Sequence, residues 1–372
     1  MSHNQAGPAG TEVHAEPQYT LPEILQQPYL WPVTLETVRS ASQHLRLHEK
    51  LKSAKVLLTG AGTSAYAASA VASAWPRAIA IPTTDLLVDT EPYLEDVDAV
   101  ISVARSGNSP ESAAVVERIR ALRPNILQFA IVCDEDGALS RSSLDGLILL
   151  DPRTNDRSLV MTSAFSNLVL AGLFLAQPNA TASAVDELSP RATALLPEID
   201  AACQFTAACI RDRLVVLSSS PMIGWQREAA LKTLEMTAGR YPLVSETYLG
   251  LRHGPMSFVT PDTVVLCLLS NNKVRRNYEA DLIRELRAKR IGHVVAIAEH
   301  GELDHLFDQL IPALAPQTDD ALRTPFEILG PQLLGYHLSL QIGLNPDNPS
   351  PDGVINRVVS GVRIYPPQTF QT

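Results

Sequence analysis

Cysteine is scarce in this chain of 372 residues, and none of it is arranged to bind or to bridge. Cys133, Cys203, Cys209 and Cys267 form no C-x-x-C pair and no Cys/His grouping with zinc spacing, so neither a metal site nor a disulfide framework is expected. Positive charge is short as well. Thirty Lys and Arg stand against 40 Asp and Glu, a net charge of −10, which argues against broad contact with a nucleic-acid backbone. No apolar run reaches the length of a membrane span, and the opening MSHNQAGPAGTEVHAEPQ lacks the basic and apolar regions of a signal peptide. Also missing are a Walker lysine and a G-x-G-x-x-G run, so a nucleoside triphosphate or NAD is disfavoured. The expectation is a soluble, cytoplasmic protein without cofactor, membrane or nucleic-acid partner.

What is present is an alternation of short apolar strands and helices. With 45% hydrophobic residues, a chain of this length suggests two or three domains. Residues 1–20 read as a mobile tail and 21–50 as helix interrupted at Pro28 and Pro32. Strands are expected at Lys55–Thr59, Ala99–Val103, Ile126–Cys133 and Leu147–Leu150, with helices at Ser64–Trp75, Pro110–Leu122 and Met161–Leu175. Gln177–Ala208 reads as a helical linker. The alternation then restarts with strands at Leu214–Ser218, Leu243–Glu246, Thr263–Leu269 and His293–Ala298 and helices at Met222–Gly239, Tyr278–Lys289 and Thr324–Gly343. Strands apolar throughout and separated by helices indicate a parallel sheet in an α/β fold. The expected units are 51–178 and 212–343, joined by 179–211 and followed by a tail, 344–372, that ends in a strand-like run. VLLTGAGTSAYAA and VVLSSSPMIGWQREAA start the two units alike, as an internal repeat would.

Two strand-to-helix loops of the first unit share one chemistry. Gly60, Gly62, Thr63 and Ser64 form one; Ser106, Gly107, Asn108 and Ser109 form the other. Glycine N–H groups and hydroxyls at helix N-termini suit an anion, and a parallel sheet gathers such loops at the carboxyl ends of its strands. The alternative is that these residues merely cap helices and make turns. In the second unit, Glu228, Lys232 and Glu235 fall on one helix face. Glu228–Lys232 reads equally as an exposed ion pair, whereas Leu231, Leu234 and Met236 crowd Glu235. His253, before Gly254-Pro255, is either a turn histidine or an acid–base group that could converge with a carboxylate on one substrate.

At these residues the chain resembles sugar isomerase (SIS) domain proteins over most of 50–345. G-A-G-T-S (Gly60–Ser64) and R-S-G-N-S-P-E-S (Arg105–Ser112) are similar to that family's phosphosugar loops, and E-x-x-L-K-x-L-E with R-H-G-P to the isomerase half of glucosamine-6-phosphate synthase. Glu23-Ile-Leu-Gln-Gln-Pro28 with Trp31, Thr83-Thr-Asp85, Met161-Thr-Ser163, Asp347–Gly353 and Asn356-Arg-Val-Val359 narrow the resemblance to the tagatose-6-phosphate ketose/aldose isomerase group, whose members are galactosamine-6-phosphate deaminases/isomerases.

The resemblance implies two tandem SIS domains, each a mostly parallel, doubly wound five-stranded sheet of flavodoxin-like order. It implies a phosphate held by Gly62, Thr63, Ser64, Arg105, Ser106, Gly107, Asn108 and Ser109. Glu235 matches the general base, Lys232 its pocket neighbour and His253 a ring-opening histidine supplied by the partner subunit, hence a homodimer or larger assembly with shared sites. Asn356 and Arg357 are candidates to close over the sugar. The implied reaction turns galactosamine 6-phosphate into tagatose 6-phosphate and ammonia; a plain aldose–ketose isomerase and a non-catalytic sugar-phosphate sensor are the alternatives. Three departures from the synthase stand out. Ala104 replaces a hydroxyl residue; the glutamine-hydrolysing domain is absent; and the last lysine is Lys289, so no lysine lies in the tail. The second unit's loop, Leu269-Ser-Asn-Asn272, lacks glycine, so phosphate binding is expected only in the first unit.

Overall fold

A computed structural model describes residues 18–350, 352–359 and 361–365. Most of the expected N-terminal tail, residues 1–17, and the end of the C-terminal tail lie outside the described residues.

Among the described residues, ten strands form two sheets. β1 (Val56–Thr59), β2 (Ala78–Ala80), β3 (Ala99–Ala104), β4 (Leu127–Val132) and β5 (Gly146–Leu149) make the first; β6 (Leu214–Ser218), β7 (Leu243–Thr247), β8 (Val264–Leu268), β9 (His293–Ala298) and β10 (Gln309–Pro312) make the second. Every pairing is parallel. The orders β2-β1-β3-β4-β5 and β10-β9-β8-β6-β7 are the same order read from opposite edges. The edge strands β2 and β10 escaped the sequence reading because each is short, three and four residues, and only partly buried. Residues 361–365 form no strand, contrary to the strand-like run expected there.

Both faces of each sheet are covered. Alternate residues of the central strands, such as Val56 and Leu58 in β1 and Leu214 and Val216 in β6, enter one core that spans both sheets. Leu57 of β1 and Val215 of β6 point into separate outer clusters. The expected linker is a single helix, Pro178–Cys209. It packs along the helices Leu329–Gln341 and Gln27–His44, burying Val185, Leu188, Ile199 and Cys203. The N-terminal helices are held from the far end of the chain: the Asp347 carboxylate accepts the N–H groups of Gln18, Tyr19 and Thr20 and the Thr20 hydroxyl.

What joins the sheets is the crossing of the helix after β1, Thr63–Ser73, with the helix after β6, Ile223–Met236. Gly224 permits it. A Cβ there would lie 2.8 Å from the Ala70 backbone nitrogen and 2.7 Å from its Cβ. This contact delivers the far end of the second helix to the loops of the first sheet.

Candidate active site

The loop after β1 turns at Gly60–Gly62. Gly60 approaches Ser64 so closely that a Cβ would lie 2.6 Å from the Ser64 carbonyl carbon, and Gly62 takes φ +57°, a conformation glycine adopts at little cost. The loop after β3, Arg105–Ser109, turns at Gly107 with φ +63°. Both loops line a cavity of about 200 Å³ at the carboxyl ends of the first sheet. Gly62, Thr63, Ser64, Arg105, Ser106, Gly107 and Ser109 lie in its wall, as do Glu235, Asn356 and Arg357.

Backbone donors converge on this cavity. Among the described residues, no acceptor in the chain takes the N–H of Ser106 or Gly107; the Ser106 hydroxyl accepts the Asn108 N–H at 3.3 Å. Buried N–H groups without a partner are rare and costly. Two of them in the loop that leads into the helix Pro110–Leu122, beside the buried hydroxyl of Ser64, suit an incoming anion.

Behind this anion cradle lies a charged row. Lys232 and Glu228 are both fully buried, with Nζ 3.4 Å from Glu228 Oε1 and 2.5 Å from Glu235 Oε2. The exposed ion pair that spacing alone allowed is therefore replaced by a buried one. Thr63 Oγ1 donates to Glu228 Oε1 at 3.3 Å, tying the first loop to the row. Burial, and secondarily the Glu235 charge, pushes the Glu228 carboxyl up to about 8 against the opposing pull of Lys232. Burial would lower the Lys232 ammonium, but its two carboxylate neighbours outweigh that and raise it. Glu235, 23% exposed, is the member that reaches the cavity.

The structure does not bring every expected residue into the cavity. Asn108 is exposed and absent from the cavity wall; its Oδ1 accepts the Ala138 N–H at 3.1 Å, bridging two loops. The Ser109 hydroxyl donates to Glu111. Arg105 spends its buried guanidinium on carbonyls: Nη1 on Ser158, Leu159 and Val160, Nη2 on Arg357. His253 is exposed in the turn after the helix Tyr248–Leu251 and does not line the cavity. The sequence reading missed Leu159 and Ile355, apolar wall residues, and had Met161 and Val359 only within family motifs. No local signal marks them, because only the path of the loop and tail across the cavity makes them neighbours.

No protein-family model matches the chain. The D-galactosamine-6-phosphate deaminase AgaS of Shewanella sp. is 35% identical, over 94% of this chain and 92% of that protein. The protein of that name from Escherichia coli is 32% identical, over 94% and 96%. Among solved structures, tagatose-6-phosphate ketose/aldose isomerase from Escherichia coli superposes with a TM-score of 0.84 at 30% identity, covering 98% of this chain and all of that one. The C-terminal domain of glucosamine-fructose-6-phosphate aminotransferase from Francisella tularensis, at 17% identity and a TM-score of 0.70, shares the fold. Identity at this level along nearly the whole chain, together with the cavity and its loops, makes this protein a member of the AgaS D-galactosamine-6-phosphate deaminase family.

Proposed function

We propose that the chain converts galactosamine 6-phosphate to tagatose 6-phosphate and ammonia, binding the substrate in the cavity of the first sheet. The observation that carries this reading is the meeting of an anion cradle (the unpaired N–H groups of Ser106 and Gly107 with the Ser64 hydroxyl) with a carboxylate, Glu235, inside one cavity of suitable size. The activity named for the relatives supports it.

The phosphate ester sits on the two loops, each charge-assisted hydrogen bond contributing roughly 1.5–3 kcal/mol. Glu235 takes the proton from C2 of the open-chain sugar, acidic because C1 is a carbonyl. Lys232, buried against Glu235, pairs with that carboxylate and orients it. Reprotonation at C1 leaves an imine at C2; water adds there and ammonia departs, giving the ketose. Asn356 and Arg357 belong to the wall that closes the site.

His253, exposed and outside the cavity of its own chain, acts in ring opening in a partner subunit, so the working unit is a homodimer or larger. The two sheets of identical order are tandem, doubly wound SIS domains, 51–178 and 212–343, arisen as a repeat. Four free cysteines suit a cytoplasmic setting, and no described helix is long and apolar enough to cross a membrane.

A coupled assay for ammonia release from galactosamine 6-phosphate, run beside glucosamine 6-phosphate, tests this. Ammonia from the first and little from the second is expected. Interconversion of tagatose 6-phosphate with its aldose and no ammonia would make the protein a plain isomerase. Tight sugar-phosphate binding without turnover would make it a sensor.

A further inference from the structure

One wall of the cavity, Ile355–Val359, comes from the tail. Among the described residues, every hydrogen bond that ties 352–359 to the chain before Asn345 passes through Arg357. Its Nε and Nη2 donate to the Asp156 carbonyl at 3.0 and 2.6 Å, and Nη2 also donates to Asn155 Oδ1 at 2.7 Å. Its own carbonyl accepts from Arg105 Nη2 at 2.7 Å. The seat of this clasp is firm. Arg105 is buried, with Nη1 held by three carbonyls at 3.1–3.3 Å. The buried Asp156 carboxylate accepts the N–H groups of Thr162, Ser163 and Ala164 at the start of the helix Ser163–Ala176. The Arg357 guanidinium thus gives its Nε and Nη2 to the protein, and the residue itself lines the cavity.

We propose that Arg357 is a positioning residue that latches the tail segment 355–359 onto the Asn155–Val160 loop and so builds the fourth wall of the sugar-phosphate site, with Arg105 as the seat of the latch. This rests on the functional reading above. Arg357 then acts on the substrate only through the segment it holds, and a phosphosugar is retained because the latched segment shields it from solvent. Asn155 does not line the cavity, so a change there reaches the substrate only through the latch.

The test uses the full chain with Asn155→Ala, Arg357→Ala and the double variant. Hydrogen exchange of the peptide spanning 352–359 is read beside KM and kcat for ammonia release from galactosamine 6-phosphate. Both single variants are expected to exchange the segment faster and to raise KM, Arg357→Ala by about tenfold, with kcat within about threefold. The double variant is expected to be no worse than Arg357→Ala, because both changes break one clasp. Unchanged exchange in Asn155→Ala would overturn the latch. Additive KM effects would overturn it too, by placing Arg357 on the substrate itself. Faster exchange with unmoved KM would sever the latch from substrate retention and refute the proposal. If the unmodified protein releases no ammonia, the functional reading fails, and the exchange arm still decides whether the latch exists.

Discussion

At the carboxyl end of β3 the N–H groups of Ser106 and Gly107 find no acceptor among the described residues, whereas their counterparts after β8, Ser270 and Asn271, donate to carboxylates of the protein itself. Ser270 N–H reaches Glu279 Oε2 and Asn271 N–H reaches Asp320 Oδ1, each at 2.8 Å. The two loops correspond closely: each follows the central strand of its sheet, and each serine hydroxyl accepts the N–H two residues on, from Asn108 and from Asn272. Ser219, in the loop after β6, also donates to Glu279, at 2.5 Å. The second sheet therefore keeps two carboxyl groups of its own where the first keeps an open cradle. One backbone device serves as an external anion site or as a structural joint, depending on whether the chain places a carboxylate of its own within reach.

That contrast can be broken most sharply at the chemistry itself. Glu235→Gln is expected to lower turnover by at least about 10²-fold with sugar-phosphate affinity nearly intact; near-normal turnover would remove Glu235 from the role of base. The loops come next. Ser106→Ala should weaken sugar-phosphate binding about tenfold or more, the loss of one hydrogen bond to a charged group. Ser270→Ala should leave binding unmoved and lower the unfolding midpoint instead, because Asp320 loses a buried partner. Titration calorimetry with a sugar phosphate should count one site per chain, and a second site of equal strength would sink the comparison.

A smaller effect tests the joint between the halves. Gly224→Ala forces a methyl against the Ala70 backbone and is expected to cost about 1–3 kcal/mol, as overpacking does, read as a lower midpoint in denaturant. The smallest effect is in pH. Burial raises Glu279 to about 7 and Glu228 to about 8, above roughly 4.3 for an unfolded glutamate. The native state then binds more protons than the unfolded chain, so this contribution to stability is complete below about pH 4.3 and is lost as pH rises through 7 to 8. Thermal midpoints should fall as pH rises from about 5 to 8, and fall less in Glu279→Gln. An identical slope in the variant would contradict the raised carboxyl.

The central strands were legible because burial on both faces leaves a largely apolar run, as in β6 and β8. The helix Pro110–Leu122 and the strands β6 and β9 fall at the expected boundaries. Edge strands β2 and β10 are short and only partly buried. The helix Lys273–Lys289 begins five residues earlier than expected, because Asn272 caps it by accepting the N–H groups of Val274 and Arg275. At the site, spacing put Glu228, Lys232 and Glu235 on one face, but burial separated a solvated ion pair from a buried charged row, and burial is a property of what packs against the helix. Arg105 and Asn108 show the converse. Both sit in a motif that reads as phosphate-binding, yet nearby carbonyls claim the first and the Ala138 N–H the second.

By itself, then, the sequence determined the alternation of strands and helices, the glycines at the turns and the donors and carboxylates available, since backbone conformation and residue chemistry act over a few neighbouring positions. Tertiary structure alone decided which donors remained free and which met a carboxylate of the same chain. It also decided that a helix of the second sheet would carry Glu235 to the loops of the first, and that Arg357 would pin the tail beside them. Those outcomes depend on groups separated by between 9 and about 200 residues coming within hydrogen-bond range, and a hydrogen bond weakens steeply once that distance and angle are lost.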